Sequence, residues 1–172
     1  MTSDMIWSQK GALSKESVLT EGGEKVASMV FSGYLARVAV GEYSGKRYRF
    51  VREGVLRPVT RVLKTDLGEE VATIRLKWRY SEKASIDLAN GQVLRLFSHG
   101  IASRTWILKD EQGREICALL EKWGLLRSTG TFRTKNLSKG DPDVLFLALL
   151  IWYIVMIVSY QESAAGAGAG GG

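Results

Sequence analysis

At 172 residues the chain falls within the size range of one domain and is long enough to bury a substantial core. Its 24 Lys and Arg against 18 Asp and Glu leave a net charge of +6, a bias toward acidic partners such as anionic membrane lipid, an acidic protein or nucleic acid. Cys117 is the single cysteine, which excludes an intramolecular disulfide, a thiolate zinc site and a redox pair, and suits a reducing, cytoplasmic setting.

Met1 to Leu19 mixes Asp4, Lys10, Lys15 and Glu16 with isolated apolar residues, so it lacks the continuous apolar stretch of a signal peptide. Positions 1–12 read as an N-terminal segment and 13–160 as the domain proper, whose first strand, near Leu13 to Leu19, has the weakest pattern. From there a repeat takes over. Gly23, Gly45, Gly68, Gly91 and Gly113 recur every 22 or 23 residues, each in a short polar cluster and each followed three positions on by an apolar residue: Val26, Tyr48, Val71, Leu94, Ile116. A hairpin loop of three to four residues usually closes with one residue at positive φ, which glycine adopts without a Cβ clash. The spacing leaves room for two strands and a second connection, so the repeated unit is a hairpin.

The strands between these turns alternate with period two. Tyr48 and Phe50 alternate with Arg47 and Arg49, and Ala72, Ile74, Leu76, Trp78 and Tyr80 alternate with Val71, Thr73, Arg75, Lys77 and Arg79. Trp106 and Leu108 share one face, and a last pair near Leu125 to Arg127 and Thr131 to Arg133 is expected to turn at Ser128-Thr129-Gly130. The count is about twelve strands, mainly β, in a closed antiparallel barrel or a two-sheet sandwich.

Val144 to Val158 is an unbroken apolar run entered through Asp141-Pro142-Asp143. Asp141 suits a cap, Pro142 the first helical position, and Asp143 the positive end of the helix dipole, so a helix over 142–160 is expected. A helix apolar on every face requires apolar surroundings. The run is about 22 Å long, shorter than a bilayer core of about 30 Å and close to the height of a barrel of eight-residue tilted strands. A twelve-stranded barrel also has a lumen wider than its own side chains fill, so a closed barrel with this helix at its centre is the favoured arrangement. The rival is a C-terminal membrane anchor, with Arg133, Lys135 and Lys139 on its N-terminal side. Residues 161–172, rich in Gly and Ala, read as a flexible tail.

Two-strand units turning at Asp66-Leu67-Gly68, Ala89-Asn90-Gly91 and Glu111-Gln112-Gly113, then Asp141-Pro142-Asp143 and a wholly apolar C-terminal helix, resemble the tubby C-terminal-like superfamily. That group includes tubby domains, phospholipid scramblases and LURP-one-related proteins. The resemblance is one of layout over Leu13 to Tyr160. It implies a barrel threaded by its helix and, in some members, binding of membrane phosphoinositides or other lipids. A cysteine-rich palmitoylation stretch and a proline-rich N-terminus, both scramblase-like, are absent from the sequence, which holds two prolines, Pro58 and Pro142.

Basic charge is concentrated between Lys46 and Arg79, where ten cations face four acids. Arg47, Arg49, Arg75, Lys77 and Arg79, on outward faces, are the candidate lipid- or anion-binding residues, since Arg offers phosphate oxygens a bidentate fork. The plainer reading, that they keep the outer wall soluble, is the favoured one. Nucleic acid is a poor fit, with no recognition helix, zinc-finger spacing or RNA-binding aromatic motif.

Catalytic chemistry is thinly represented. His99, the only histidine, sits in Ser98-His99-Gly100 without an acid to orient it, and Cys117 lies in a strand pattern. No phosphate loop or metal-ligand cluster is visible, so no cofactor is expected. The expected role is a non-enzymatic binding or scaffold protein, with a tail-anchored membrane protein, or a small-molecule binder or enzyme at the barrel mouth, as alternatives.

Overall fold

The computed structural model describes residues 4–11, 14–33, 37–77, 81–100, 103–123, 128–137 and 139–168. Along them run β1 (Met5–Gln9), β2 (Glu16–Glu21), β3 (Glu24–Ser32), β4 (Val38–Tyr43), β5 (Lys46–Glu53), β6 (Val59–Lys64) and β7 (Glu69–Leu76). They continue through β8 (Glu82–Leu88), β9 (Val93–His99), β10 (Ser103–Lys109), β11 (Glu115–Trp123), β12 (Ser128–Thr134) and α1 (Val144–Gly168). Each strand pairs antiparallel with its neighbours in sequence, and β1 pairs with β12 from Met5↔Phe132 to Ser8↔Thr129. The sheet is thus a closed up-and-down barrel, not a sandwich, and closure leaves no edge for another chain to extend.

The glycines close hairpins as their spacing predicts. Between β4 and β5 the loop is only Ser44-Gly45, with φ of 47° and 73°, a two-residue turn whose positive φ values match the twist of the flanking strands. The three-residue offset to an apolar position has a second cause. Register shifts in the β2–β3, β6–β7 and β10–β11 ladders leave Val26, Val71 and Ile116 without a directly opposed partner, 45 residues apart each time. The 22- to 23-residue period therefore sits inside a longer one, a bulge just after the turn once every four strands; the β8–β9 ladder shifts too, but at Lys83, far from its turn.

Inward alternation runs along the strands: Ala27, Met29 and Phe31 in β3, Ala72 and Ile74 in β7, Trp106 and Leu108 in β10 are all buried, and at the β11 bulge the neighbours Ile116 and Cys117 both are. The barrel begins earlier than the sequence reading set it. Met5, Trp7 and Gln9 of β1 alternate into the lumen from within the 1–12 stretch, in a strand too short for its alternation to stand out. Ser128, Thr129 and Gly130 are not a turn but the start of β12. Gly130 faces inward, where a Cβ would lie 3.0 Å from Trp152 Cζ3 and 3.1 Å from Leu119 Cδ2, and at Gly41 in β4 it would lie 2.9 Å from Leu149 Cδ1. These two glycines let the helix approach the wall. Leu13, Trp78, Arg79, Tyr80 and Leu125 to Arg127 lie outside the described residues.

α1 runs through the lumen, with every residue from Phe146 to Ser159 buried. Trp152 stacks on Trp7 at 5.3 Å between ring centroids, Tyr153 on Phe50 at 4.7 Å, and Phe146 lies 4.9 Å from Tyr48. Burial of such side chains contributes roughly 1.5–3 kcal/mol each before entropy is subtracted. Two boundaries differ from expectation. The cap is Asp143, not Asp141: its Oδ1 accepts from Leu145 N at 2.9 Å and its carbonyl from Leu147 N at 3.0 Å. At the other end the helix continues past 160 to Gly168, taking in part of the stretch read as a flexible tail. Its 25 residues span about 37 Å, so length does not separate core helix from anchor, and 78% of its most apolar window is buried within the barrel.

Candidate functional site

The barrel has two unlike rims. At the turn rim, where β2–β3, β4–β5, β6–β7, β8–β9 and β10–β11 connect, α1 enters; at the opposite, exit rim it leaves. The entrance is clamped by charge. Arg114, after the β10 turn, donates from Nη2 to Asp141 Oδ1 at 2.9 Å and from Nη1 to Asp141 Oδ2 at 3.1 Å, from Nε to Asp110 Oδ2 at 2.8 Å, and from Nη1 to the Asn136 carbonyl at 2.6 Å. This bidentate fork is why Asp141 is not the helix cap. Lys46 adds an ion pair to Asp143 at 3.5 Å.

The exit is held by a buried carboxylate. Glu121, fully inside the wall of β11, accepts from Trp106 Nε1 at 2.8 Å, and Ser159 of the helix lies 3.4 Å from its other oxygen. Burial pushes its pKa above the usual carboxylate range, against the pull of the indole, Arg104 and Ser159; Glu162 adds to the upward push. Arg104 reaches Glu162 at 2.7 Å, and the Gln161 amide oxygen, turned toward Arg52, accepts from Nη1 at 3.0 Å. Two cations thus hold the helix where it leaves the barrel, about two turns before its end at Gly168.

Of the predicted cations Arg47, Arg49 and Arg75 are exposed and Lys77 is half-buried, and most of their charge is already matched. Arg47 donates to Glu42 on the directly opposed position of β4, at 3.0 Å from Nη2. Arg75 is paired with Asp87 of β8, and Lys77 with Glu82 at 2.6 Å. Arg61 bridges Glu70 at 2.5 Å and Glu53 at 3.7 Å. Arg49 stands exposed between Val40 and Leu63 without a carboxylate partner among the described residues, and Arg79 lies outside them. The sequence counted the cations correctly, yet cross-strand register sets an acid beside three of the four described candidates.

Uncompensated charge differs between the rims. At the turn rim it is of both signs, with Glu24, Glu69 and Glu111 exposed in the hairpins and Lys25 and Lys139 exposed nearby without a carboxylate among the described residues. At the exit rim the acids are engaged: Glu16 by Lys10, Glu53 by Arg61, Glu82 by Lys77, Glu162 by Arg104, with Glu121 buried. Lys15, Arg37, Arg57 and Lys122 remain beside them as cations without a carboxylate among the described residues. Linear order hides this, because the two rims alternate along the chain at every strand.

The chemistry weighed for catalysis is scattered. A shallow cavity of about 250 Å³ beside the helix entrance is lined by Val71, Leu88, Asn90, Pro142 and Phe146, with Asp141, whose carboxylate Arg114 holds. His99 ends β9 at the other rim, so it does not face that cavity. Cys117 is buried in β11, and desolvation pushes its thiol far above the ordinary range, leaving it protonated. Among the described residues no three His, Cys, Asp or Glu side chains converge on a metal position. No family model matches the chain, and comparisons with curated proteins and with solved structures find no match.

Proposed function

We propose that this chain is a non-enzymatic binding or scaffold protein that meets an acidic surface, anionic phospholipid headgroups first, through the outside of its barrel. The observation that carries this reading is the filled lumen: with Phe146 to Ser159 occupying the interior, binding is left to the exterior, whose net charge is positive. The layout resemblance to tubby-like barrels belongs to the same proposal, as does a cytoplasmic setting with association at membranes. Exposed Arg49 contributes to this surface, while Arg47, Arg75 and Lys77 exchange their present carboxylates for a partner's at little net gain.

The test is retention of the full chain on an immobilised acidic polypeptide, polyglutamate, and on phosphatidylserine-containing vesicles, each at low and high salt. Binding to either that weakens as salt rises is expected, since screening acts on exposed charge. Binding to neither at low salt refutes the reading.

An anchor reading has one observation in its favour: the helix from Val144 to Gly166 is long and apolar enough to cross a membrane. It requires α1 to leave the barrel, and 78% of its most apolar window is buried there. Extraction of the full chain from membranes by carbonate, expected here, would be resisted by an anchor.

A further inference from the structure

The two most exposed large apolar side chains are neighbours. Val55 and Leu56, at 86% and 96% exposure, form the tip of the β5–β6 loop on the exit rim. The tip is built rather than loose. Gly54 holds φ at 87°, a Cβ on it would lie 3.3 Å from the Arg57 carbonyl oxygen, and Pro58 restrains the return into β6. Arg52 and Arg57 flank the apolar pair, and Lys15, Arg37 and Lys122 stand on the same rim.

We infer that the exit rim docks end-on against an anionic lipid bilayer, with Val55 and Leu56 inserted among the headgroups and the surrounding Lys and Arg against lipid phosphates and carboxylates. This rests on the proposed function and deepens it by naming the surface and the part of the barrel that meets it. A convex apolar tip with cations at its base matches the bilayer boundary, where apolar matter lies just beneath negative charge, and a fluid bilayer admits such a tip without a preformed pocket. The turn rim supplies the contrast. Its most exposed apolar residue, Leu67 at 67%, stands singly, with Asp66, held by Lys64 at 3.7 Å, before it and the exposed Glu69 two positions on, which the same bilayer would repel. The acid on the emerging part of the helix, Glu162, does not oppose docking, because Arg104 pairs with it.

The experiment is co-sedimentation of the full chain with vesicles of phosphatidylcholine alone and of an equimolar mixture with phosphatidylserine, comparing the native chain with Val55→Asp/Leu56→Asp and with Leu67→Asp on the turn rim. Both variant sites are exposed, so unchanged thermal melting is the check that each remains folded. The native chain is expected to sediment with the phosphatidylserine vesicles only. The tip variant should lose affinity by at least about tenfold, while Leu67→Asp changes it by about threefold or less. Native sedimentation with the tip variant unimpaired overturns the exit-rim inference and leaves the acidic-surface reading standing. Retention on polyglutamate without vesicle binding does the same, and binding to neither removes both.

Discussion

The inner and outer faces of the barrel come from the same twelve strands but are stabilised by different physics. Inside, close packing between α1 and the wall sets position to within a fraction of an ångström, as Gly41 and Gly130 record. Outside, cross-strand ion pairs such as Arg47–Glu42 and Arg61–Glu70 sit in water and contribute little each. Stability is therefore concentrated on the inner face, and the outer face is available to a partner.

The sharpest way to break this contrast is to remove the helix or charge it. Truncation after Gly140, or Leu150→Arg, should abolish the cooperative melt and drive the chain to aggregate, because one empties the lumen and the other places an unpaired charge at a fully buried position. A truncated chain that melts cooperatively by circular dichroism would show that the barrel does not need its filling. Next in size is Gly130→Val, which overpacks the contact with Trp152 and Leu119 and should cost about 1–3 kcal/mol in denaturant unfolding. A loss below that range would mean that the helix shifts freely against the wall.

Glu121 is the exception on the inner face, and pH distinguishes it from the outer carboxylates. With a folded pKa above the unfolded one, it binds its proton more tightly in the folded chain, so its stabilising contribution is present below the unfolded value and is lost as pH rises through the folded one. Glu121→Gln should raise the melting temperature by a few degrees at neutral pH, with the gain shrinking as pH falls toward the ordinary carboxylate range. The outer acids run the other way. Asp4, Glu70 and Glu115 are held low by Arg133, Arg61 and Lys135, so their contribution is present above the unfolded value and lost on acidification. A Glu121→Gln gain that grew on acidification would contradict this assignment. The smallest effect belongs to the wall itself: Arg75→Ala removes the exposed pair with Asp87 and should change unfolding free energy by no more than about 0.5 kcal/mol.

Hairpins, strand count and the buried helix were legible in the chain because they rest on local rules. Gly45 and Gly68 announce positive φ, Ala72 and Ile74 announce a buried face by alternation, and fifteen apolar residues in a row admit no aqueous environment. That β1 is the strand closing the barrel was not legible, since four of its residues depend on partners more than a hundred positions away in β12. Gly130 read as a turn because glycine serves both turns and close approaches, and only the position of Trp152 separates the two uses.

The candidate surface divides the same way. The sequence by itself determined the composition of the wall, the outward side of Arg47, Arg49 and Arg75, and the net charge, because side-chain alternation and residue counts are properties of the chain. Only the tertiary structure decided which of those charges are free. Register sets Glu42 beside Arg47 and Asp87 beside Arg75, and the up-and-down winding gathers every second connection onto one rim. Val55, Leu56 and the unmatched cations of the exit rim, dispersed along the chain, become one surface for that reason: pairing across strands, unlike alternation along them, is fixed by distance in space.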